Sequence, residues 1–266
     1  MKEQNLSFVV NRPKRGWWIY IPIIIAIYAV LHWAAVGSRM NFESLANGLP
    51  WIADFLSRMF PPNLSYISES LIGPALQTFQ IALWGTILAV ILAIPLCFMA
   101  AKNLAPNAFV YQTSRQILNL LRGINELILA LIFVAAVGLG PFAGVLALAL
   151  HGAGMVGKFF AEAIEEMDQG PIEAMKAAGC SKLQIVVFAV FPQVFPSWIS
   201  ISLYRLESNI RTSAVLGMIG AGGIGFELMT SMKMFEYNDT AACIIVILGL
   251  VFFTDIVSSK LRQMIR

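Results

Sequence analysis

The chain has 266 residues, of which 58% are hydrophobic and only 12% are charged. An average soluble domain carries roughly one-quarter charged residues, so this composition excludes an ordinary water-soluble protein. The net charge of +3 is small and gives no indication of a nucleic-acid partner. The apolar residues form runs of about 20, the length that a helix needs to cross a bilayer. The sequence therefore predicts an all-α polytopic protein surrounded by membrane lipid.

Six membrane spans are predicted from the apolar runs between charged or turn-rich breaks. The first follows basic residues and an aromatic pair, Trp17 and Trp18, and it is too long for a signal-peptide core, so we interpret it as an uncleaved span. The six spans lie near residues 17–36, 75–100, 116–138, 142–163, 184–206 and 240–259.

Two polar connections separate these spans. Residues 37–74 have mixed charge and are long enough for a short interfacial helix, whereas residues 207–239 are too weakly apolar to predict a seventh span. Lys and Arg are concentrated in the N-terminal segment, in alternate connections and at the C-terminus. Because cytoplasmic segments are enriched in these residues, both termini and the loop around 164–183 are predicted to be cytoplasmic.

This predicted cytoplasmic loop has the signals of a short helix with a defined start and stop. Pro171 suits the first turn, and Glu173 places a negative charge near the positive end of the helix. Gly179 lies where a left-handed cap is expected, and Ser181 can cap the helix that follows. The loop is therefore predicted to hold a surface helix that turns sharply into span five.

The same residues resemble the "EAA" loop of ABC importer permeases, a pattern of Glu-Ala-Ala, three residues, Gly, nine residues, Ile, any residue and Leu-Pro. Four residues match its anchors: Glu173, Ala174, Gly179 and Pro192. Three positions depart from it with apolar or helix-compatible residues: Met175, Ala189 and Phe191. The resemblance implies a type I importer fold with a coupling helix that docks into a groove on a cytoplasmic ATPase. An ordinary amphipathic connector is the structural alternative.

The resemblance also implies which residues serve this coupling and which partners are needed. The implied coupling residues are Glu173, Ala174, Ala177, Gly179 and Pro192. The chain has no Walker A sequence, so we predict that it is not an enzyme and binds no cofactor itself. ATP and Mg are expected to bind to the partner ATPase. One coupling loop per chain implies a homodimer, and a periplasmic or surface-anchored binding protein is expected to deliver the substrate.

Three further segments resemble the phosphonate-type permeases in particular: 122–126, 137–145 and 204–211. Residues 213–225 are similar to a wider group that includes methionine-type permeases. The resemblance implies a bacterial inner-membrane importer for a phosphonate or a related phosphorus oxyanion. It divides the chain into residues 1–74, which comprise a cytoplasmic tail, one span and an external loop, and a transport domain at 75–266. Methionine, phosphite and phosphate remain alternative substrates.

Polar residues within the spans are candidates for a translocation path, because charged groups there tend to face a partner or water. Arg122 and Glu126 are expected to pair across one helical turn, and His151 is expected to make one interhelical hydrogen bond. Structural pairing and interfacial anchoring are the alternative role for the charged residues. The candidate path residues are Arg122, Asn125, Glu126, Arg205, Asn209 and Arg211.

A glycine-rich segment fits the G-x-G-x-x-G pattern, yet it lacks the strand and βαβ unit that a dinucleotide site requires. We interpret its glycines as residues of close helix packing or of an outer gate: Gly220, Gly222, Gly223 and Gly225. The three cysteines have no metal-type spacing and are interpreted as apolar packing residues, so no metal site is predicted. An ion-coupled transporter or channel is a rival from another class, and an intramembrane hydrolase is a weaker one.

Overall fold

The computed structural model describes residues 20–265, except for the side chains of Phe42 and Ile265. Trp17, Trp18, the basic residues before them and the start of the first predicted span lie outside the described residues. All regular elements within the described range are helices, which confirms the all-α prediction. The helices are α1 Tyr20–Gly37, α2 Phe42–Arg58, α3 Leu64–Ala100, α4 Ala108–Gly123, α5 Glu126–Val137, α6 Pro141–Glu166, α7 Gly170–Ala177, α8 Lys182–Ala221, α9 Ile224–Lys233 and α10 Tyr237–Ile265.

Five of the described helices are long and apolar enough to cross a membrane: α1, α3, α6, α8 and α10. Helices α4 and α5 are bent by 83° and pass the same test only as a pair, so the predicted number of six is reached if this pair is one span. The span predicted near 116–138 contains this bend, because Gly123 ends α4 and Asn125 caps α5. Helices α3 and α8 are also longer than predicted.

Contacts divide the chain into two units, with the boundary in the sequence between Asp54 and Phe55. In the first unit, the turn from α1 to α2 is held by local hydrogen bonds. Met40 N donates to Ala35 O over 3.0 Å, and Arg39 has a left-handed φ of 51°. Asn41 Oδ1 then accepts from Glu43 N over 2.9 Å at the start of α2. A helix therefore occurs where the sequence predicts an interfacial one.

The second unit is organised around the close approach of α3, α4 and α6. A Cβ added at Gly152 of α6 would lie 2.8 Å from Ala89 Cβ of α3. A Cβ at Gly154 would lie 2.6 Å from the backbone nitrogen of Arg122 and 2.8 Å from Leu118 O, both of α4. Small residues at such crossings bring helix backbones together, as is common in membrane proteins.

An aromatic cluster links α6 to α8 near the end of α6. The rings of Phe160 and Trp198 are stacked with centroids 4.4 Å apart, and Trp198 Nε1 donates to Phe160 O over 3.4 Å. Leu118, Ile164 and Val194 are buried in the same cluster. Two of the cysteines interpreted as packing residues are buried in the second unit: Cys97 and Cys243.

We predict that Gly154→Ala destabilises the folded protein, because the new methyl group meets backbone atoms of α4 that have no freedom to rotate away. The expected cost is about 1–3 kcal/mol, typical of overpacking. The matched control is Gly249→Ala in α10, where the added Cβ meets nothing within 4 Å. Thermal denaturation of both variants in detergent, followed by size-exclusion chromatography, measures the difference. Equal melting temperatures would contradict the tight crossing.

Candidate functional site

The loop helix α7 has the start and stop that the sequence predicts. Pro171 lies in its first turn, Ala178 N donates to Ala174 O over 3.0 Å, and Gly179 has a left-handed φ of 76°. Ser181 then starts α8 with a capping box, in which Ser181 and Gln184 exchange side-chain to backbone hydrogen bonds. The helix is thus fixed at both ends by local chemistry, and the chain bends at Gly179.

The two faces of α7 differ in their surroundings. Ile172 is 3% exposed and packs in the aromatic cluster, with Met175 beside it. Glu173, Ala174 and Ala177 are exposed on the remaining surface. Met175, which replaces the second alanine of the EAA pattern, therefore contributes to the contact with the core rather than to the exposed face.

The start of α8 contains another candidate coupling residue, Pro192. A π-helical turn at Val186–Val190 precedes it, and Phe191 N donates to Val186 O. This wider turn accommodates the proline, which has no N–H to donate. Ala189 of the turn is buried in the aromatic cluster.

An ion pair at the base of the loop was not predicted from the sequence. Glu165 near the end of α6 accepts from Arg115 Nη2 over 2.7 Å and from Lys102 N over 2.7 Å. Arg115 Nε also donates to Ala100 O over 3.1 Å. The pair joins the ends of α3 and α6 to α4, directly before the loop that holds α7. The charges of both residues are visible in the sequence, but their separation of 50 positions hides the pairing.

The predicted pairing of Arg122 with Glu126 was wrong, because the helix breaks between them. Arg122 is exposed and makes no ion pair with any described residue. Glu126 Oε2 instead lies 3.3 Å from His151 Nε2 of α6. His151 Nδ1 lies 2.9 Å from Ile124 O, a carbonyl in the break. His151 therefore has two partners, where one hydrogen bond was predicted, and it bridges both sides of the bend.

Arg205 is buried within the second unit, with 3% of its surface exposed. Its Nη1 lies 3.5 Å from the sulfur of Met155, and its Nε and Nη2 have no hydrogen-bond partner among the described residues. Glu126 is within electrostatic reach of the guanidinium. Gly152 makes the necessary room, since a Cβ there would lie 3.2 Å from Arg205 Nε. Arg205 is thus closed off from the surface of the unit.

Asn209 lies one turn beyond Arg205 and is fully buried. Its Nδ2 donates to Thr86 Oγ1 of α3 over 2.8 Å, and its Oδ1 has no partner among the described residues. One turn further, Ser213 Oγ donates to Thr78 O over 3.2 Å. A row of polar contacts therefore joins α3 and α8 through the interior.

Arg211 lies in a half-exposed charge network between α8 and α10. It contacts Glu207 over 3.3 Å and Asp255 over 3.9 Å, and Arg262 reaches the other oxygen of Glu207 over 3.4 Å. A groove of about 210 Å³ connects this network with the bend, where it is lined by Asn125, Glu126 and Arg211 among others. Among the predicted path residues, the structure brings these three together at one groove.

The glycine-rich segment forms a turn between α8 and α9 with left-handed φ angles at Gly220, Gly222 and Gly223. Gly223 N donates to Gln77 Oε1 over 2.7 Å, and Gly220 O accepts from Gly140 N over 2.9 Å. A Cβ at Gly225 would overlap the carbonyl oxygen of Ala214. The glycines thus serve both a bend and close packing, and the segment contacts α3 and the start of α6.

Comparison with known proteins identifies the family. The family model described as "Binding-protein-dependent transport system inner membrane component" matches residues 93–266. The chain belongs to this family. A phosphite transport system permease protein of Stutzerimonas stutzeri is 45% identical over 93% of this chain and 90% of that protein. A phosphate-import permease protein of Mycolicibacterium smegmatis is 40% identical over 84% of this chain, which spans 42% of that longer protein.

A solved structure supports the type I fold of this family of transport components. It is an inward-facing MetNI methionine ABC transporter, with a TM-score of 0.66 and 20% identity over 74% of this chain and 96% of the solved chain. Membership of the family makes this chain a multi-pass membrane subunit of a transporter. It decides against the ion-coupled transporter and the intramembrane hydrolase.

We predict that His151→Leu destabilises this family member more than His151→Asn. Leucine leaves Ile124 O and Glu126 without their partner, which costs about 1–3 kcal/mol for a buried polar group, whereas asparagine keeps a donor near the position of Nδ1. Thermal denaturation in detergent compares the two variants. Equal stability of both would show that the bend does not depend on this hydrogen bond.

Proposed function

We propose that the chain is the permease subunit of an ATP-driven importer of a small phosphorus oxyanion, with phosphite and phosphonates as the leading substrates. The observation that carries the substrate class is the 45% identity to a phosphite permease along nearly the whole chain. The arginines of the bend and of the α8 network are compatible with an anion. They do not select among phosphite, phosphonate and phosphate, so the family relationship supplies the choice.

We infer that α7 is the helix that couples the permease to a cytoplasmic ATPase, which holds the ATP and Mg. On the exposed face, Ala174 and Ala177 have small side chains that permit close approach to a groove. Glu173 supplies a charge for a basic partner group. The opposite face, through Ile172, packs in the aromatic cluster with Trp198 of α8. Movement of α7 with the ATPase would therefore be transmitted to α6 and α8.

The proposed complex contains two copies of this chain, two ATPase subunits and a periplasmic or surface-anchored binding protein. The support for two copies is that each chain carries one loop helix. The termini and α7 are placed in the cytoplasm, as the distribution of basic residues favours. In this arrangement ATP binding closes the ATPases and opens the path outward, and hydrolysis resets it.

We propose that the substrate passes the groove at the bend between α4 and α5. Arg122, Asn125 and Arg211 are exposed there or nearby, and each can donate hydrogen bonds to an oxyanion. Glu126 lines the same groove, whereas Arg205 and Asn209 are buried in α8, the helix that carries Arg211. The glycine turn at 220–225 is proposed as the outer gate, because it packs on α3 and on the start of α6 through backbone contacts.

The coupling role predicts that Glu173→Arg abolishes capture of the ATPase by the tagged chain. The reversed charge opposes a basic partner group, while Glu173 is exposed and its replacement leaves the core intact. The matched control is Glu166→Arg, an exposed charge reversal at the end of α6. Affinity purification from native membranes in mild detergent, followed by mass spectrometry, is the measurement. Capture of the ATPase by both variants would contradict the coupling role of α7.

The path role predicts that Arg211→Gln lowers ATP-dependent uptake several-fold. Glutamine removes the cation, while Glu207 keeps its contact with Arg262 and so remains paired. The control is Lys233→Gln at the exposed end of α9. Uptake of radiolabelled phosphite, methylphosphonate, phosphate and methionine into vesicles containing the whole transporter gives the comparison. Uptake of methionine alone would overturn the substrate class, and unchanged anion uptake would remove Arg211 from the path.

A further inference from the structure

Helix α2 has two faces of opposite character. Four large apolar residues are spaced four, three and four positions apart, so they form one stripe along the helix. These residues are each about half exposed: Leu45 58%, Leu49 58%, Ile52 49% and Leu56 50%. The opposite stripe is polar: Glu43, Asn47, Asp54 and Arg58. An apolar stripe of this length exposed on one chain requires a partner that is itself apolar.

The position of α2 in the chain limits what this partner is. Helix α1 consists almost wholly of apolar residues, none of the described ones is buried, and it is long enough to cross a bilayer. Only residues 38–41 separate its end from the start of α2. Four residues reach at most about 14 Å, and the turn is further held by Met40 and Asn41. The start of α2 therefore lies close to the membrane surface at which α1 ends.

The composition of α2 opposes a second crossing at this point. Its 17 residues include Glu43, Asp54 and Arg58, and ionised groups near the centre of a bilayer are costly. Pro50 has no N–H, so the carbonyl of Ala46 lacks its usual helical donor. Pro50 lies on the polar side, three residues after Asn47 and four before Asp54, where water can hydrate that carbonyl. Both features suit a helix with one side in water.

We propose that α2 lies along the membrane surface, with Leu45, Leu49, Ile52 and Leu56 inserted among the lipid chains and its polar stripe in water. The partner of this surface is the lipid bilayer itself. The helix carries two acidic residues and one basic residue, so its attachment depends on apolar insertion rather than on attraction to anionic headgroups. The surface is independent of the coupling helix and of the groove at the bend.

Depth-dependent quenching tests this arrangement in the full chain. Cys180 is replaced by serine, because it is the one cysteine of the described chain that is not buried. Single cysteines are then introduced as Leu49→Cys and, as the matched control on the polar stripe, Asn47→Cys, and each is labelled with the fluorophore NBD. The labelled proteins are reconstituted into phosphatidylcholine vesicles with or without a spin-labelled acyl chain. A second pair, Ile52→Cys and Asp54→Cys, repeats the comparison in case one variant folds poorly.

The expected result is that the spin-labelled lipid quenches NBD at positions 49 and 52 several-fold more strongly than at 47 and 54. Aqueous iodide should quench the two groups in the reverse order. Quenching of position 49 by iodide but not by lipid would overturn the proposal. Protection of position 49 from both quenchers would also overturn it, because protein, such as a second copy of the chain, would then cover the stripe. The quenching measurement needs no ATPase or substrate, so its result does not depend on whether the proposed transport function is correct.

Discussion

The close approach of α6 to α3 and α4 is the constraint on which the second unit depends. Gly154 lies against the backbone of α4 and Gly152 against Ala89 of α3, and a side chain at either position would collide with these neighbours. This crossing places His151, which directly precedes Gly152 in the chain, opposite the break between α4 and α5. It also leaves the room that Arg205 occupies. The polar interior therefore exists because the helices are packed through residues that have almost no side chains.

This packing buries backbone polar groups at the bend between α4 and α5, and these groups need hydrogen-bond partners from neighbouring side chains. A helix that breaks in an apolar environment exposes carbonyls that need donors. His151 supplies one for Ile124 O, and Asn125 caps the first turn of α5 through Leu127 N. At the glycine turn the side chains are acceptors instead: Gln77 accepts from Gly223 N and Thr78 accepts from Ile224 N. Each departure from regular helix in these regions is thus matched by a side chain from a neighbouring helix.

Much of the local structure could be predicted from the sequence, since it depends on neighbours in the chain. The start and stop of α7 follow from Pro171, Gly179 and Ser181, whose roles require only a few residues on either side. The break at Ile124 was missed, because the apolar run continues through it and helical spacing suggested an Arg122 to Glu126 pair. Only the position of His151, which depends on how α6 packs, reveals the partner of Glu126. The Arg115 to Glu165 contact was missed for the same reason.

That contact between Arg115 and Glu165 has a mechanical consequence for the loop it supports. By joining the ends of α3 and α6 to α4, it makes the base of α7 a stiff frame. When α7 moves, the joined ends of these helices resist bending separately. At the other end of α7 the chain turns at Gly179, which has a left-handed φ and no side chain. In the coupling role proposed above, a displacement of α7 would therefore pass to α8 through this turn and through the contacts of Ile172 in the aromatic cluster.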